Sequence, residues 1–213
     1  MREFLRNAAH QLRTPLTGIT AAVEVLQSGA KDVPSDRDRF LEHVAVDTVR
    51  LTRIARALLV LARAQSGESV TLERLELPEL LESVAVGAGA SAQGRIGVAC
   101  SPGLTVLAQP DLLREALAAL VDNAVTHTSG AVRLAARKLD DAVEIEVVDV
   151  GEGIAPEHHA RIFEPFYRVA DTGEGFGLGL AIAQQAVNAM QGTLRSGVPV
   201  EGGTSFTIRL QAS

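Results

Sequence analysis

A single cysteine, Cys100, stands among 213 residues, so no internal disulfide can form and the chain suits a reducing compartment. One cysteine, five scattered histidines and no His-Glu-x-x-His run also exclude a zinc site. Tryptophan is absent and aromatic residues make up only 3%, which leaves an aliphatic core. No apolar run approaches the roughly 20 residues that a helical membrane span requires. The opening Met-Arg-Glu-Phe-Leu-Arg is not a signal peptide, so the fragment is expected to be soluble and cytoplasmic. Excess positive charge is missing as well. A formal net charge of −6 argues against nucleic-acid binding by bulk phosphate neutralisation. The chain has no Gly-Lys pair, which rules out a Walker-type loop, and no Gly-x-Gly-x-x-Gly, which rules out a Rossmann turn. What is present is 46% apolar residues, enough for a packed core in one large or two small domains.

The first 66 residues read as two long helices. Leu5, Ala8, Leu12, Leu16, Ile19, Val23 and Leu26 recur at spacings of three and four. His10 lies off that stripe and is expected to face solvent. Thr14, four residues on, shares its face. Pro15 cannot give an N–H to the carbonyl of Gln11, so a local bend is expected just after the histidine. Gly29 suits a helix end, Lys31–Pro34 a turn, and Ser35 with Asp38 a new helix start. The second helix repeats Phe40, Val44, Leu51, Ile54, Leu58 and Leu61 and runs to about Gln65. A lone antiparallel hairpin buries two apolar stripes poorly, so two chains are expected to pair into a four-helix bundle.

Residues 67–77 read as a linker with one short strand at Val70–Leu72, and 78–213 as a second domain. There Pro78 opens a helix to about Ala92 and Pro110 another to about Thr126. A third is expected over Gly177–Met190. Strands are expected at Ile96–Cys100, Leu104–Leu107, Val132–Lys138, Val143–Val148, Thr193–Arg195 and Thr204–Leu210, with a turn at Asp140-Asp141. Helices and strands mix without a βαβ repeat, which predicts an α+β domain with helices on one face of a mixed sheet.

Three pieces of this domain suit a nucleotide. Asp149-Val-Gly-Glu-Gly153 follows a strand. Its carboxylate can accept from the exocyclic amine of adenine, and Gly151 and Gly153 let the backbone approach a flat base. Gly173-Glu-Gly-Phe-Gly-Leu-Gly179 leads into a helix whose N–H groups can face phosphates. Asn123, near the end of a long helix, offers an amide oxygen to Mg²⁺.

In this order the segments resemble the catalytic core of a bacterial sensor histidine kinase over nearly all 213 residues. His10-Gln-Leu-Arg-Thr-Pro-Leu-Thr resembles the phosphoacceptor box, and Asp122-Asn-Ala-Val-Thr-His-Thr128 the tail of the asparagine box. Asp149–Gly153 resembles the first glycine box and Phe163-Glu-Pro-Phe-Tyr-Arg168 the phenylalanine box. Gly175-Phe-Gly-Leu-Gly179 and Gly202-Gly-Thr-Ser-Phe206 resemble the later glycine boxes. The resemblance implies a dimeric helical bundle followed by an α+β sandwich of the type shared with gyrase, Hsp90 and MutL. It implies the cofactors ATP and Mg²⁺, a homodimer, and a response-regulator receiver domain as partner. Membrane attachment is implied only through a sensor region absent from this chain, with the parent protein in the bacterial inner membrane. His10 would accept the γ-phosphoryl group and pass it to an aspartate. Nucleotide-binding positions carried over are Asn123, His127, Asp149, Gly151, Gly153, Arg168, Gly175, Gly177, Leu178, Gly179 and Thr204. Asn123 is also the metal ligand. Phe163 and Phe166 would anchor a lid between Gly153 and Gly175, in which His158 and His159 read as solvated.

Three positions depart from the family pattern. Gln11 replaces the acidic residue that commonly follows the histidine; an amide can fix the ring tautomer but cannot take its proton. Ala119 replaces an asparagine or glutamate one turn before Asn123, which disfavours simple ATP hydrolysis. Thr126 replaces a basic residue. Thr14 is a candidate for positioning water to dephosphorylate the regulator. The alternative from another class is an ATP-incompetent dimeric module that docks or dephosphorylates a response regulator. A serine-directed kinase or a DNA-topology ATPase of the same fold would lack the histidine box.

Overall fold

The structure, a computed structural model, describes residues 2–29, 32–66, 70–89, 92, 94–169, 177–199 and 202–213; within its helices the side chains of residues 2–11, 50, 53 and 56–66 lie outside that description. The chain divides into two compact units, Met1–Ala62 and Arg63–Ser213.

The first unit is a helical hairpin of α1 (Arg2–Gln27) and α2 (Pro34–Ser66). Helix α1 passes through Pro15 without interruption. It ends where Gly29 takes φ +120°, a conformation that costs a glycine little. Pro34 opens α2, where its missing N–H would have no helical partner in any case. On α2, Phe40, Val44, Asp47, Leu51 and Ile54 turn inward at spacings of four and three, and Ile54 is fully buried. The matching face of α1 carries the buried Pro15 and Ala22. Gly18 lies so close to the Asp47 carboxylate that a methyl group there would collide with it.

A lone hairpin is expected to bury its two apolar stripes poorly, and Leu16 is 57% exposed and Val23 38%. Leu41 and Val49 of α2 also face out, at 51% and 53%. The hairpin seals itself with Pro15, Ala22 and the half-buried Ile19 and Leu26, and leaves larger side chains on a second face.

The second unit holds a five-stranded sheet and a two-stranded one. Its elements in chain order are β1 (Glu73–Glu76), α3 (Leu77–Gly87), β2 (Ile96–Cys100), β3 (Thr105–Ala108), α4 (Pro110–His127), β4 (Val132–Leu139), β5 (Ala142–Asp149), α5 (Gly179–Ala189), β6 (Thr193–Gly197) and β7 (Thr204–Gln211). The large sheet has the order β2-β4-β5-β7-β6; β2 and β4 are parallel and the other neighbours antiparallel. Central β5 is buried along most of its length, whereas β4 alternates between buried and exposed positions at its start. Leu81 of α3, Leu113, Leu117 and Leu120 of α4, Ala183 of α5, and Leu134, Ile145, Phe206 and Ile208 of the sheet are fully buried. Helix α4 is well started, with Gln109 as N-cap accepting from the Leu112 N–H and Pro110 in the first turn.

Two boundaries differ from the sequence expectation. The strand expected at Val70–Leu72 is Glu73–Glu76, inside the segment read as a linker. Its position is set by pairing with β3, where Leu75 stands opposite the fully buried Val106. Charged residues on both sides of Leu75 hide that strand from a hydrophobic pattern. Helix α3 stops at Gly87 rather than near Ala92, with Gly89 at φ +87° just beyond.

Strand β7 begins at a place with no room for a side chain. Gly203 has φ +87°, and a methyl group there would overlap the backbone carbonyl of Asp149. Gly203→Ala is therefore expected to destabilise this unit by about 2 kcal/mol or more, strain and overlap adding. Urea unfolding should show a lower midpoint at unchanged m-value; an unmoved midpoint would contradict the close packing of β7 on β5.

Candidate functional site

The site is built from the ends of β5, β7 and α4 and from the start of α5. Asp149 is the last residue of β5 and is 2% exposed, a buried carboxylate in an aliphatic unit. Burial of such a group costs free energy unless it is hydrogen-bonded. One oxygen, Oδ1, accepts from the Gly151 N–H at 2.8 Å. The other has no donor among the described residues, and no described buried side-chain oxygen is left sealed and unpaired. That oxygen therefore stands open to an incoming N–H donor.

The surroundings are trimmed of side chains. A methyl group on Gly151 would lie 2.8 Å from Asp149 Oδ1 and 2.9 Å from the His127 carbonyl. Gly153, at φ +81°, would meet the Gly203 carbonyl at 3.1 Å. Thr204, 6% exposed, stands opposite Asp149 in the β5–β7 register. The structure thus brings Asp149, Gly151, Gly153, Thr204 and the His127 backbone together. Gly203 belongs with them although sequence reasoning left it out of the site; the Gly-Gly pair ahead of a strand was its signal.

Asn123 sits on α4 one turn before His127, half-buried, and its amide makes no hydrogen bond to a described residue. Among the described residues no three acidic, histidine or cysteine side chains gather into a metal cage. One hard amide oxygen fits Mg²⁺, which keeps several waters and is commonly held by one or two protein groups together with substrate phosphates. Helix α5 starts at Gly179 against α4, where a methyl group would lie 3.9 Å from the Ala119 carbonyl. Its N-cap, Leu178, gives no side-chain cap and its first turn carries no acid, so among the described residues no side chain competes with an anion for the terminal N–H groups.

Between Gly153 and α5 the described part of the connecting segment is tied down at several points. Phe166 adopts φ +68° and donates its N–H to the Gly177 carbonyl at 2.7 Å. Gly177, at φ +64°, would meet the Tyr167 carbonyl at 2.6 Å if it carried a side chain. Arg168 follows directly, half-buried. Phe163 stacks edge-on against Phe206, with ring centroids 6.3 Å apart.

The two histidines of the segment are not merely solvated, which corrects the sequence reading. His158 Nδ1 lies 2.7 Å from the Tyr167 hydroxyl, and the Arg161 guanidinium covers the same ring at 4.3 Å. His159 Nε2 donates to the Ile154 carbonyl at 3.0 Å, so in the neutral ring its Nδ1 accepts from Ser196 Oγ at 2.7 Å. Partners nine to 37 residues away made these roles invisible to a local reading.

The phosphoacceptor candidates lie in the other unit. His10 and Gln11 belong to α1, but their side chains lie outside the description; Thr14 is exposed on the same helix. Gly175 lies outside the described residues. No described helix is long and apolar enough to cross a membrane.

Comparison with known proteins gives two family matches in tandem. Residues 1–67 match the His Kinase A (phospho-acceptor) domain, and residues 108–213 match the histidine kinase-, DNA gyrase B- and HSP90-like ATPase. The sensor-like histidine kinase SenX3 of Mycobacterium tuberculosis H37Rv is 33% identical over 222 residues, covering 99% of this chain and 54% of SenX3. The sensor protein CreC of Escherichia coli K12 is 30% identical, covering 99% of this chain and 45% of CreC. The chain thus spans about half the length of the curated relatives it matches. Among solved structures, full-length ShkA in complex with AMPPNP superposes with TM-score 0.72 at 29% identity, over 100% of this chain and 46% of ShkA. The Acinetobacter baumannii histidine kinase AdeS, 22% identical, shares the fold with TM-score 0.74 over 96% of this chain and 98% of its own. A phosphoacceptor helical hairpin and an ATPase sandwich in this order mean that the chain belongs to the sensor histidine kinases.

Proposed function

We propose that this chain takes the γ-phosphoryl group of Mg-ATP onto His10 and passes it to an aspartate of a response-regulator receiver domain. The observation that carries the reading is the buried Asp149 carboxylate, half satisfied by Gly151 and open on its other oxygen to the amine of adenine. Gly151, Gly153 and Thr204 leave room for the flat base. His127, Arg168, Gly177, Leu178 and Gly179 would serve the ribose and phosphate side, with the N-terminus of α5 receiving negative charge; Gly175 is assigned to the same side by the family pattern alone. Asn123 would hold Mg²⁺, whose chemistry there would be to neutralise charge on the transferred group.

The transfer itself asks little covalent chemistry of the protein. One neutral ring nitrogen of His10 attacks phosphorus, the bond from phosphorus to the β–γ bridging oxygen breaks, and ADP leaves. The proton on the other ring nitrogen must be held during attack and lost afterwards. Gln11 can hold it by accepting a hydrogen bond but cannot remove it, so the step runs slower than with a carboxylate there. Positioning and electrostatics supply most of phosphoryl-transfer catalysis, so it is not abolished.

Residues 1–66 serve as the dimerisation and phosphoacceptor hairpin and 78–213 as the ATP-binding domain, with β1 within the connector 67–77. A homodimer is supported by the outward face of Leu16, Val23, Leu41 and Val49, which a second hairpin would cover to make a four-helix bundle. Sensing, and any membrane attachment, belongs to other parts of such a protein.

Incubation with radiolabelled Mg-ATP should label the wild-type chain with an acid-labile phosphate. His10→Gln should carry none while still binding ATP, and Asp149→Asn should lose ATP binding. Absence of label from folded, ATP-binding wild type would reduce the chain to a docking module. Gln11→Glu should raise the autophosphorylation rate severalfold; an equal rate would remove any proton-handling role from this position. Thr14→Ala should lower regulator dephosphorylation while sparing His10 labelling, measured on one preparation; loss of both would mean instead that the helix is damaged.

A further inference from the structure

The turn between α4 and β4 is held from two sides. Because β4 lies between β2 and β5 in the sheet, this turn sits between the approach to β2 and the end of β5. On the β5 side it touches the nucleotide site. A methyl group on Gly130 would collide with the Val150 side chain, and one on Gly151 would lie 2.9 Å from the His127 carbonyl and 3.5 Å from Thr128 Cβ. On the β2 side stands Arg95. Its Nε donates to the Gly130 carbonyl at 3.0 Å, its Nη2 donates to the Thr128 carbonyl, and its own carbonyl accepts from the Val132 N–H at 2.9 Å. Within the turn, the Gly130 N–H donates to Thr128 Oγ1 at 3.0 Å.

We infer that Arg95 is a positioning residue for adenine recognition, acting through the Thr128–Gly130 turn on Asp149 and Gly151. The inference rests on the reading that Asp149 receives the adenine amine. Its physical basis is the shape of the guanidinium. A planar fork can serve two carbonyls at fixed spacing, whereas an ammonium is a point charge on a flexible stem. The positive group also stands at the C-terminal end of α4, where helix carbonyls are short of donors. Removing the fork frees the turn on one side. The His127 carbonyl and Thr128 then no longer fix the backbone of Gly151, whose N–H orients the Asp149 carboxylate.

The test uses the full chain, wild type against Arg95→Gln and Arg95→Lys, with ATP and purine riboside triphosphate as competing ligands. The second nucleotide lacks only the exocyclic amine. Wild type should prefer ATP by roughly tenfold or more, as expected where a buried acceptor would otherwise go unpaired. In Arg95→Gln the preference should fall severalfold toward equality, and in Arg95→Lys by an intermediate amount. A merely structural arginine would lower both affinities together and leave their ratio unchanged, and that result overturns the inference. Should Arg95→Gln fail to fold by circular dichroism, the ratio in Arg95→Lys decides alone. Wild type that binds neither nucleotide overturns the kinase reading and this inference with it. Wild type that discriminates beside variants that discriminate equally overturns the role of Arg95 only.

Discussion

A carboxylate buried at the end of the central strand is the constraint around which the ATPase unit is arranged. Asp149 could not remain at 2% exposure in an aliphatic sheet without a donor, and Gly151 provides one two residues on. That bond requires the chain to turn back at once, which in turn requires that Gly151 carry no side chain against the His127 carbonyl. The start of β7 closes over the same point, and Gly203 must also be bare. The cluster of glycines is therefore a packing consequence of keeping one acid buried. The same bare backbone leaves only one oxygen of the acid bonded to a described N–H. Fold and ligand chemistry make the same demand here, which is why the glycine-rich runs are informative.

The hairpin obeys a different logic. Small and kink-forming residues, Pro15, Gly18 and Ala22, let α1 lie close to α2, while Leu16 and Val23 remain outside. Helix α2 supplies the larger inward side chains, Phe40, Val44, Leu51 and the fully buried Ile54. The exposed Leu16 and Val23 leave apolar area that a partner surface would remove from water. The inward Asp47 beside Gly18 fits the same picture, since only a glycine leaves space for a carboxylate between two helices.

How much of this was readable in advance follows from the range of the interactions. The helices, the β4–β5 hairpin with Asp140 at φ +52°, and the nucleotide runs are local patterns, and they were legible. Asp149, Gly151, Gly153 and Thr204 lie close together where β5 ends and β7 begins. What failed was what depended on distant partners. Strand β1 is defined by β3 across some thirty residues, and its own composition resembles a linker. His159 takes its role from Ser196, and Arg95 from two carbonyls 33 and 35 residues on. A lone arginine before a short strand carries no periodicity and no motif. On α1 the periodicity gives an apolar face but not which neighbour covers it.

The departures at Ala119 and Gln11 can be weighed against this geometry. Alanine at 119 removes a polar side chain from the α4 face that bears Asn123, yet the Ala119 carbonyl still faces the first residue of α5. The α4–α5 approach at this point is thus an ordinary contact between backbone atoms and small residues. On the proposed reading, loss of a side-chain contact there would leave the phosphates to the α5 N-terminus and to a Mg²⁺ that Asn123 would hold. An uncapped N-terminus is well suited to that burden, since its N–H groups have no competing partner within the helix. Gln11 makes the parallel change next to the proposed acceptor in sequence. As an amide it keeps a hydrogen-bond acceptor and lacks the negative charge of a carboxylate. Both substitutions thus spare groups that position and remove groups that carry charge or activate water. In-line phosphoryl transfer depends chiefly on positioning, while hydrolysis needs an activated water; under the proposed function this pattern would favour transfer to His10 over loss of the phosphoryl group to solvent.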